Sequence, residues 1–242
     1  MEIFWRTIAY YNSATWLLQI IVILIGIVLT ALLISKPRPW VKMGMKIYMI
    51  GLYSWISIVY YFIYCEERSY NGVMAMFWGV MAIIWIWDTI TGYTTFERTH
   101  KYDLLSYVLL AMPFIYPMVS LARGLSFPEM TSPVMPCSVV VFTIGLLLLF
   151  AHKVNMFLVL FLCHWSLIGL STTYFFQIPE DFLLASATIP GLYLFFREYF
   201  LNNLHADTKP KAKYINWLLI TVCIGLAILL TTTMFLELVP KN

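Results

Sequence analysis

Long apolar stretches separated by short polar connections recur along the whole sequence. A helix rises about 1.5 Å per residue, so roughly 20 apolar residues are needed to cross a hydrocarbon core of about 30 Å. Backbone groups cannot stay unpaired in lipid, and the chain lacks the ten-residue segments of alternating polarity that membrane barrels use. The pattern therefore predicts an all-α integral membrane protein, a bundle of eight transmembrane helices. These are Ala14–Ser35, Met43–Tyr64, Val73–Thr94, Leu104–Leu121, Pro133–Ala151, Asn155–Phe175, Phe182–Phe200 and Tyr214–Leu236.

Two features of this pattern affect the number and shape of the spans. Only His152 and Lys153 interrupt the hydrophobicity between the fifth and sixth spans, so the alternative is seven spans with one very long helix. Prolines lie inside two other spans, at Pro113 and Pro117 in the fourth and at Pro190 in the seventh. Because each proline removes a backbone hydrogen bond, we expect kinks at these positions.

Composition leads to the same class of protein. Hydrophobic residues make up 62% of the chain and charged residues 11%, against about 45–50% and about 25% in soluble domains. So few charged side chains could not cover a soluble fold. The connections are short, which predicts a single polytopic transmembrane domain over residues 1–242. The net charge of +3, with no basic run interleaved with aromatics, indicates the lipid bilayer rather than nucleic acid as partner.

The distribution of basic residues predicts the orientation. The loops after spans one, three, five and seven hold eleven Lys and Arg residues, whereas the opposite side holds four. Cytoplasmic loops carry the excess of positive charge in membrane proteins. Both termini are therefore predicted to be extracytoplasmic.

A polar group is predicted on the extracytoplasmic side. Asn12, Trp16 and Gln19 recur on one face of the first helix. The ends of other spans that share their side add Asn71, Cys137, Glu180 and Asp181. We interpret this set as the lining of an outer vestibule. The alternative is separate structural roles: an aromatic anchor, an interhelical hydrogen bond, a turn and a helix start.

Three ionisable residues lie within or at the end of predicted spans. Asp88 is about six residues from the cytoplasmic end of the third span, and an intramembrane carboxylate is a functional candidate because of its cost in lipid. Arg197, in the last turn of the seventh span, is its predicted cationic partner. His164, near the middle of the sixth span, could relay protons or bind a metal, or it could be bonded to a neighbouring helix. A structural ion pair is the alternative for Asp88.

Signatures of catalysis and metal binding are missing from the sequence. The four cysteines lie in separate segments without a CxxC spacing, and the methionines form no close array. Protease, hydrolase and nucleotide-binding motifs are also absent. We therefore predict no metal and no cofactor, and the chain is not expected to be an enzyme.

Several motifs together resemble a known family. They are Tyr11-Asn12 with Trp16 and Gln19, Pro136-Cys137 followed by Phe142-Thr143-Ile144-Gly145-Leu146-Leu147, and Pro179-Glu180-Asp181. This combination resembles an uncharacterised family of bacterial multi-spanning membrane proteins, catalogued as a domain of unknown function. The resemblance covers nearly the whole chain. It implies a small polytopic protein of the bacterial cytoplasmic (inner) membrane, and it implies no reaction.

The sequence leaves three functional hypotheses open. The first is a transporter or channel for a small solute or ion, with the outer polar vestibule as its entrance and Asp88 as an inner polar step. The second is a non-catalytic membrane subunit whose partner subunit supplies the activity. The third is a membrane-embedded redox enzyme that uses Cys137 or His164.

Overall fold

The computed structural model describes residues 2–68, 70–98, 103–150, 153–175 and 178–196. Within these residues the chain is all-helical apart from its short connections, as predicted. The helices are α1 Glu2–Ser35, α2 Pro39–Trp55, α3 Asn71–Thr91, α4 Asp103–Ala122, α5 Pro136–Phe150, α6 Met156–Phe175, α7 Phe182–Ser186 and α8 Thr188–Phe196. A π-helical segment, Ile56–Tyr64, continues α2, and a 3-10 turn, Pro179–Asp181, precedes α7.

Four of these helical stretches are long and apolar enough to cross a membrane. They are Ile3–Ser35, Pro39–Tyr64, Asn71–Thr91 and Asp103–Ala122. Three further apolar helices are shorter: Pro136–Phe150, Met156–Gly169 and Phe182–Leu194. The predicted eighth span, Tyr214–Leu236, lies outside the described residues. The described helices therefore support four spans, and they do not support the count of eight.

The fifth and sixth predicted spans are separate helices. α5 ends at Phe150 and α6 begins at Met156, so the alternative of one very long helix is wrong. The connection is held by the backbone, since the Thr95 amide donates to the Lys153 carbonyl at 3.2 Å. α5 has 15 residues, which corresponds to about 22 Å and falls short of a full hydrocarbon core.

α5 is the central helix of the bundle, and α4 packs tightly against it. Thirteen of the 15 residues of α5 are buried. Gly145 makes the close approach possible, because a Cβ atom there would lie 2.9 Å from Leu109 Cβ and 3.1 Å from the Leu110 backbone nitrogen. A helix that is apolar on every side, as α5 is, belongs in the interior of a bundle.

The seventh predicted span is broken between α7 and α8. Pro190 has no amide hydrogen, and its ring crowds the carbonyl of the residue four positions earlier, Ser186. α7 ends at Ser186, and α8 begins at Thr188. The predicted interruption at Pro190 is therefore confirmed. In contrast, α4 continues through both Pro113 and Pro117.

α1 presents a broad apolar surface to its surroundings. Ile21, Leu24 and Val28 are each between 45% and 56% exposed. Large contiguous apolar surfaces are rare on soluble monomers and are typical of proteins that contact other proteins or lipid. The surface of α1 is thus compatible with a bilayer as solvent.

Successive connections between the helices lie at opposite ends of the bundle, which we name after Arg68 and Asp88. The Arg68 end contains the start of α1, the connection from the π-helical segment to α3, and the connection from α6 to α7. The Asp88 end contains the start of α2, the end of α3 and the start of α6. Consecutive long helices thus run in alternating directions between the two ends.

An aromatic layer packs between the two ends. Tyr53 stacks on Trp78 with ring centroids 5.1 Å apart, and its hydroxyl donates to Thr143 Oγ1 at 2.9 Å. Trp85 lies beside the same tyrosine, with centroids 6.4 Å apart. All three rings are fully buried, so this layer separates the polar groups of one end from those of the other.

Candidate functional site

A cavity of about 180 Å³ lies at the Arg68 end. Its walls come from the start of α1, the π-helical segment, the start of α3, the second half of α4, the connection before α5, the middle of α6 and the turn before α7. Most of the lining is aromatic or aliphatic, and the charged residues in it are Arg68 and Asp181. Mostly apolar pockets with a few convergent polar groups are typical of small-molecule sites.

The π-helical segment supplies two adjacent tyrosines to the cavity. Tyr60 and Tyr61 both line it, although they are neighbours in sequence. Their rings also contact each other edge to face, with centroids 4.9 Å apart. A π-helix has a wider turn than an α-helix, which brings successive side chains closer to one face, and such segments are frequent at functional sites. The departure from α-helical geometry therefore coincides with the site.

Arg68 is buried in the wall of the cavity with incomplete hydrogen bonding. The residue is 8% exposed. One guanidinium nitrogen, Nη2, donates to the Phe4 carbonyl at 3.2 Å, and the guanidinium lies 4.8 Å above the Phe4 ring. Its Nε atom is buried without a hydrogen-bond partner among the described residues. Arginine stays charged in proteins, so a cation with free donor capacity faces a largely apolar space.

Cys137, Asp181 and Tyr116 line other walls of the same cavity. Asp181 lies next to the Cys137 thiol and is 7% exposed. The Tyr116 hydroxyl is buried, and no described group hydrogen bonds to it. The structure thus brings together Cys137 and Asp181, which belong to the predicted outer group, with Arg68 and Tyr116, which were not predicted.

Asn12 and Gln19 hold one wall of the cavity in place without lining it. The side-chain amide of Asn12 donates through Nδ2 to the backbone carbonyls of Pro128 and Met130, at 2.9 and 2.7 Å. The side-chain oxygen of Gln19, Oε1, accepts from Ser132 Oγ at 2.5 Å, and its side-chain nitrogen, Nε2, donates to Asn12 Oδ1 at 3.2 Å. These bonds anchor the connection between α4 and α5, from which Thr131 lines the cavity. The shared face of α1 therefore binds a loop.

The other three residues of the predicted outer group have separate surroundings. Trp16 is 51% exposed, in agreement with the aromatic-anchor alternative. The Asn71 side chain accepts from the Gly72 amide at 2.7 Å and so supports the first turn of α3. Glu180 is fully buried and accepts two hydrogen bonds from Arg123, at 2.6 and 2.8 Å, and one from Ser120 at 3.0 Å. None of these three lines the cavity.

The cysteines near the cavity differ in their surroundings. Cys65, Cys137 and Cys163 are all free thiols. Cys65, just beyond the π-helical segment, does not line the cavity, and burial raises the pKa of its thiol to about 11. It is therefore protonated near neutral pH and unsuited to attack as a thiolate. Cys137 is the one of these three that borders the cavity.

His164 has no relay partner in the described part of the chain. Its ring lies 5.9 Å from that of Phe77, and its Nε2 atom is buried without a hydrogen bond to any described group. Within the described part of the chain, His164 Nε2 therefore makes no hydrogen bond to a relay group or to a neighbouring helix. Among the described residues there is also no group of three or more His, Cys, Asp or Glu side chains that could hold a metal ion.

Asp88 forms a fully bonded cluster at the opposite end of the bundle. It is 0% exposed, as expected from the cost of a carboxylate in lipid. Lys46 Nζ lies 3.0 Å from its Oδ2 atom, and the amide and hydroxyl of Thr94 donate to Oδ1 at 3.0 and 2.7 Å. Thr94 Oγ1 in turn accepts from the Asn155 amide at 3.1 Å. The cluster therefore ties α2, α3 and α6 together.

Among the described residues, the cation beside Asp88 is Lys46. The predicted partner, Arg197, lies outside the described residues. In the sequence, Lys46 is one of the eleven basic residues that predict the cytoplasmic side, and nothing marks it as a partner of Asp88. The position of Lys46 within α2 does not indicate that its side chain faces α3. The chain returns to Asp88 because Gly92 has a φ of 64°, a left-handed conformation that glycine adopts without strain and that ends α3.

Comparison with curated proteins found no match, and neither did comparison with solved structures. One family model matches, described as a family of unknown function (DUF6064), and the match spans residues 1–206. It covers α1 to α8, both ends of the bundle and the whole cavity. The resemblance of the motifs to a family of unknown function is thereby confirmed, and the chain belongs to the DUF6064 family.

Proposed function

We propose that the protein is a polytopic membrane transporter that binds a small organic solute in the cavity at the Arg68 end. The observation that carries this proposal is the guanidinium of Arg68, buried in the cavity wall with an unpartnered Nε atom. A buried donor without a partner costs about 1–3 kcal/mol, and more when the group is charged. A solute that supplies the missing acceptor would remove this cost.

The size of the cavity suits a small solute. A cavity of about 180 Å³ is many times larger than the roughly 10–15 Å³ that a single water molecule needs, so it has room for a small molecule. A solute of about ten heavy atoms would fit. Its apolar part would contact the rings of Tyr60, Tyr61 and Trp165, which line the space.

The aromatic layer supports a transporter rather than an open channel. Tyr53, Trp78 and Trp85 fill the bundle between the cavity and the cluster around Asp88. In the proposed cycle this structure is the state open at the Arg68 end, and the layer has to rearrange before solute reaches the other side. Asp88 then acts as an anchor of that side, in place of the inner polar step suggested by the sequence.

The proposal includes a location and an orientation. We place the protein in a bacterial inner membrane, with the Arg68 end extracytoplasmic, because the basic residues of the sequence are concentrated in the loops of the opposite end. A count of eight spans remains part of this proposal, with Tyr214–Leu236 as the last. Reporter fusions after Ser35 and in the 123–132 connection should report opposite compartments.

Ligand binding by the purified full-length chain tests the proposed function. We would measure the thermal stability of the protein in lipid nanodiscs with a panel of amino acids, organic acids, amines and sugars. A solute at 100 times its Kd stabilises by about 2.7 kcal/mol, which corresponds to a rise in Tm of about 5–10 °C for a chain of this size. Proteoliposome counterflow of any solute that binds would then test transport.

Two variants make the same substitution at different ends of the bundle. Arg68→Gln should abolish the rise in Tm, whereas Arg98→Gln, at the Asp88 end, should retain it. Arg98 pairs with Asp103 at 2.9 Å and lies away from the cavity. If no solute of the panel raises the Tm of the wild-type protein, the proposed function is wrong, and the hypothesis of a non-catalytic subunit takes its place.

A further inference from the structure

We propose that the solute bound in this cavity is a short-chain carboxylate, an organic anion with a hydrocarbon body. This inference rests on the proposed function and specifies the substrate class of the same site. It follows from the polar groups that line the cavity, because the buried ones that lack a partner among the described residues are donors, and one of them carries a positive charge.

Three side chains of the lining hold a buried polar atom without a hydrogen-bond partner. These atoms are Nε of Arg68, the hydroxyl oxygen of Tyr116 and Nε1 of Trp165, and none of them bonds to a described group. Guanidinium and indole N–H groups can only donate, and a hydroxyl can donate as well as accept. The three side chains come from the connection before α3, from α4 and from α6. The cavity thus collects donors from separate elements and lacks acceptors for them.

A carboxylate supplies these acceptors more fully than other common organic groups. When it is ionised it only accepts, and its two oxygens offer about four acceptor positions. Alcohols and amides also accept, but they bring donors of their own, and an ammonium group brings donors alone. A buried donor without an acceptor is costly, so the affinity of a solute should rise with the acceptors that it supplies.

Arg68 determines the charge of the solute. Its side chain is 8% exposed, and within the described residues its guanidinium has one hydrogen-bond acceptor, the neutral Phe4 carbonyl at 3.2 Å. None of the ion pairs of the described residues includes Arg68. The planar fork of a guanidinium matches the two oxygens of a carboxylate. The counter-charge of this arginine would therefore come with the solute.

Asp181, the other charged residue of the lining, is already engaged within the protein. It has an interaction of its own, and the Cys137 thiol lies next to it in the cavity wall. An amine would therefore find no free carboxylate and would lie in one small space with the positive Arg68. Like charges repel strongly in apolar surroundings. The same rule places the carboxylate of the solute at Arg68, with its hydrocarbon body toward the remaining walls.

The rest of the lining defines the body of the solute. Ile8, Met74, Ile168 and Leu184 line the space together with the aromatic rings. Contact with this surface favours a short hydrocarbon chain over a polar one. Phosphate and sulfate could pair with Arg68, but they have no apolar part and would lose hydration without gaining such contacts.

Three compounds with the same branched body and different head groups test the charge requirement. They are 4-methylpentanoate, 4-methylpentanamide and 4-methylpentylamine. Each would be titrated into the full-length protein in nanodiscs, with calorimetric Kd and Tm as readouts, and titrations of empty nanodiscs correct for partitioning into lipid. The acid should bind about ten times or more tightly than the amide, the amine and sodium phosphate. An amide or amine that binds as tightly as the acid would overturn the carboxylate while leaving solute binding intact. Equal binding of phosphate would overturn the hydrocarbon body.

Variants at one position assign the charge to its residue. Arg68→Gln should weaken binding of the acid by about tenfold or more but leave binding of the amide within about threefold, since only the acid uses the charge. Arg68→Lys, which keeps the charge without the planar fork, should recover part of the acid affinity. Arg98→Gln, at the Asp88 end, is the control and should bind the acid like wild type.

The outcomes separate this inference from the proposed function. Loss of acid and amide binding together in Arg68→Gln, without recovery in Arg68→Lys, would make Arg68 a structural residue and contradict the assignment. Should the acid fail to bind while a solute of another class binds, the inference fails and the proposed function stands. Should no solute bind, both fail.

Discussion

The two ends of the bundle treat their buried charges in opposite ways. At the Asp88 end, Lys46 and Thr94 saturate the carboxylate with donors at 2.7–3.0 Å, and the acid is completely inaccessible. At the Arg68 end, the buried guanidinium keeps an unpartnered nitrogen beside a cavity. The comparison teaches that burial of a charge does not by itself indicate function. Whether its hydrogen-bonding capacity is satisfied by the protein separates a structural charge from a candidate binding group.

The largest expected effect follows from removal of the cation at the Asp88 end. Lys46→Met leaves the Asp88 carboxylate buried without its counter-charge, which should lower the free energy of unfolding by about 3–5 kcal/mol. Asp88→Asn should likewise act mainly on stability. Denaturant unfolding of the detergent-solubilised protein measures both variants. Lys42→Met, one turn away on α2, is the control and should stay within about 1 kcal/mol of wild type.

The same Lys46 variant also tests the separation of the two ends. Solute binding measured per folded molecule should remain close to wild type, because the aromatic layer lies between Lys46 and the cavity. A loss of binding in the fraction that is still folded would show that the ends are coupled, and it would contradict the assignment of Asp88 as a structural anchor.

A packing defect in the centre of the bundle should have the next largest effect. Gly145→Ala places a methyl group 2.9 Å from Leu109 Cβ and 3.1 Å from the Leu110 backbone nitrogen. Overpacking of this kind typically costs about 1–3 kcal/mol. The control is Gly51→Ala, which meets nothing within 4 Å and should be neutral or slightly stabilising. Thermal unfolding of the two variants side by side measures the difference.

Loss of the loop anchor at the Arg68 end should have a comparable or smaller effect. Asn12→Ala removes the donors to the Pro128 and Met130 carbonyls and leaves Gln19 with one partner fewer. We expect a loss of about 1–3 kcal/mol together with weaker solute binding, because Thr131 lies in the anchored loop. The matched control for both readouts is Asn71→Ala, because the Asn71 side chain accepts from the adjacent Gly72 amide and bonds to no other group among the described residues.

The smallest effect on stability is expected at Arg68 itself. Arg68→Met removes a buried charge whose bonding is incomplete, so the free energy of unfolding should change by less than about 1 kcal/mol, or it should rise. Solute binding should be lost at the same time. A destabilisation as large as that of Lys46→Met would contradict the distinction between the two ends, since it would make Arg68 a structural charge as well.

Two residues of the candidate site could be predicted from the sequence, but its central cation could not. Cys137 and Asp181 could be placed at one end because consecutive antiparallel helices put alternate connections on the same side of a bundle. Arg68, in contrast, follows Glu66 and Glu67 in a short connection and looks like an ordinary surface residue. Its burial depends on α1, whose Phe4 packs under the guanidinium from 64 residues away in the sequence.

The sequence by itself determined the class of the protein: helical, apolar, with connections that alternate between two ends and an inward-facing Asp88. These properties depend on local composition and on the number of helices, and both can be obtained from the sequence without knowledge of how the helices pack. Only the tertiary structure decided that Lys46 pairs with Asp88, that Asn12 and Gln19 bind a loop, and that a cavity forms around Arg68. The physical reason is that α1 and α5 are apolar on nearly every side, so their periodicity does not fix which face meets which neighbour. The rotation and pairing of such helices depend on close packing, as at Gly145, and on hydrogen bonds between distant residues.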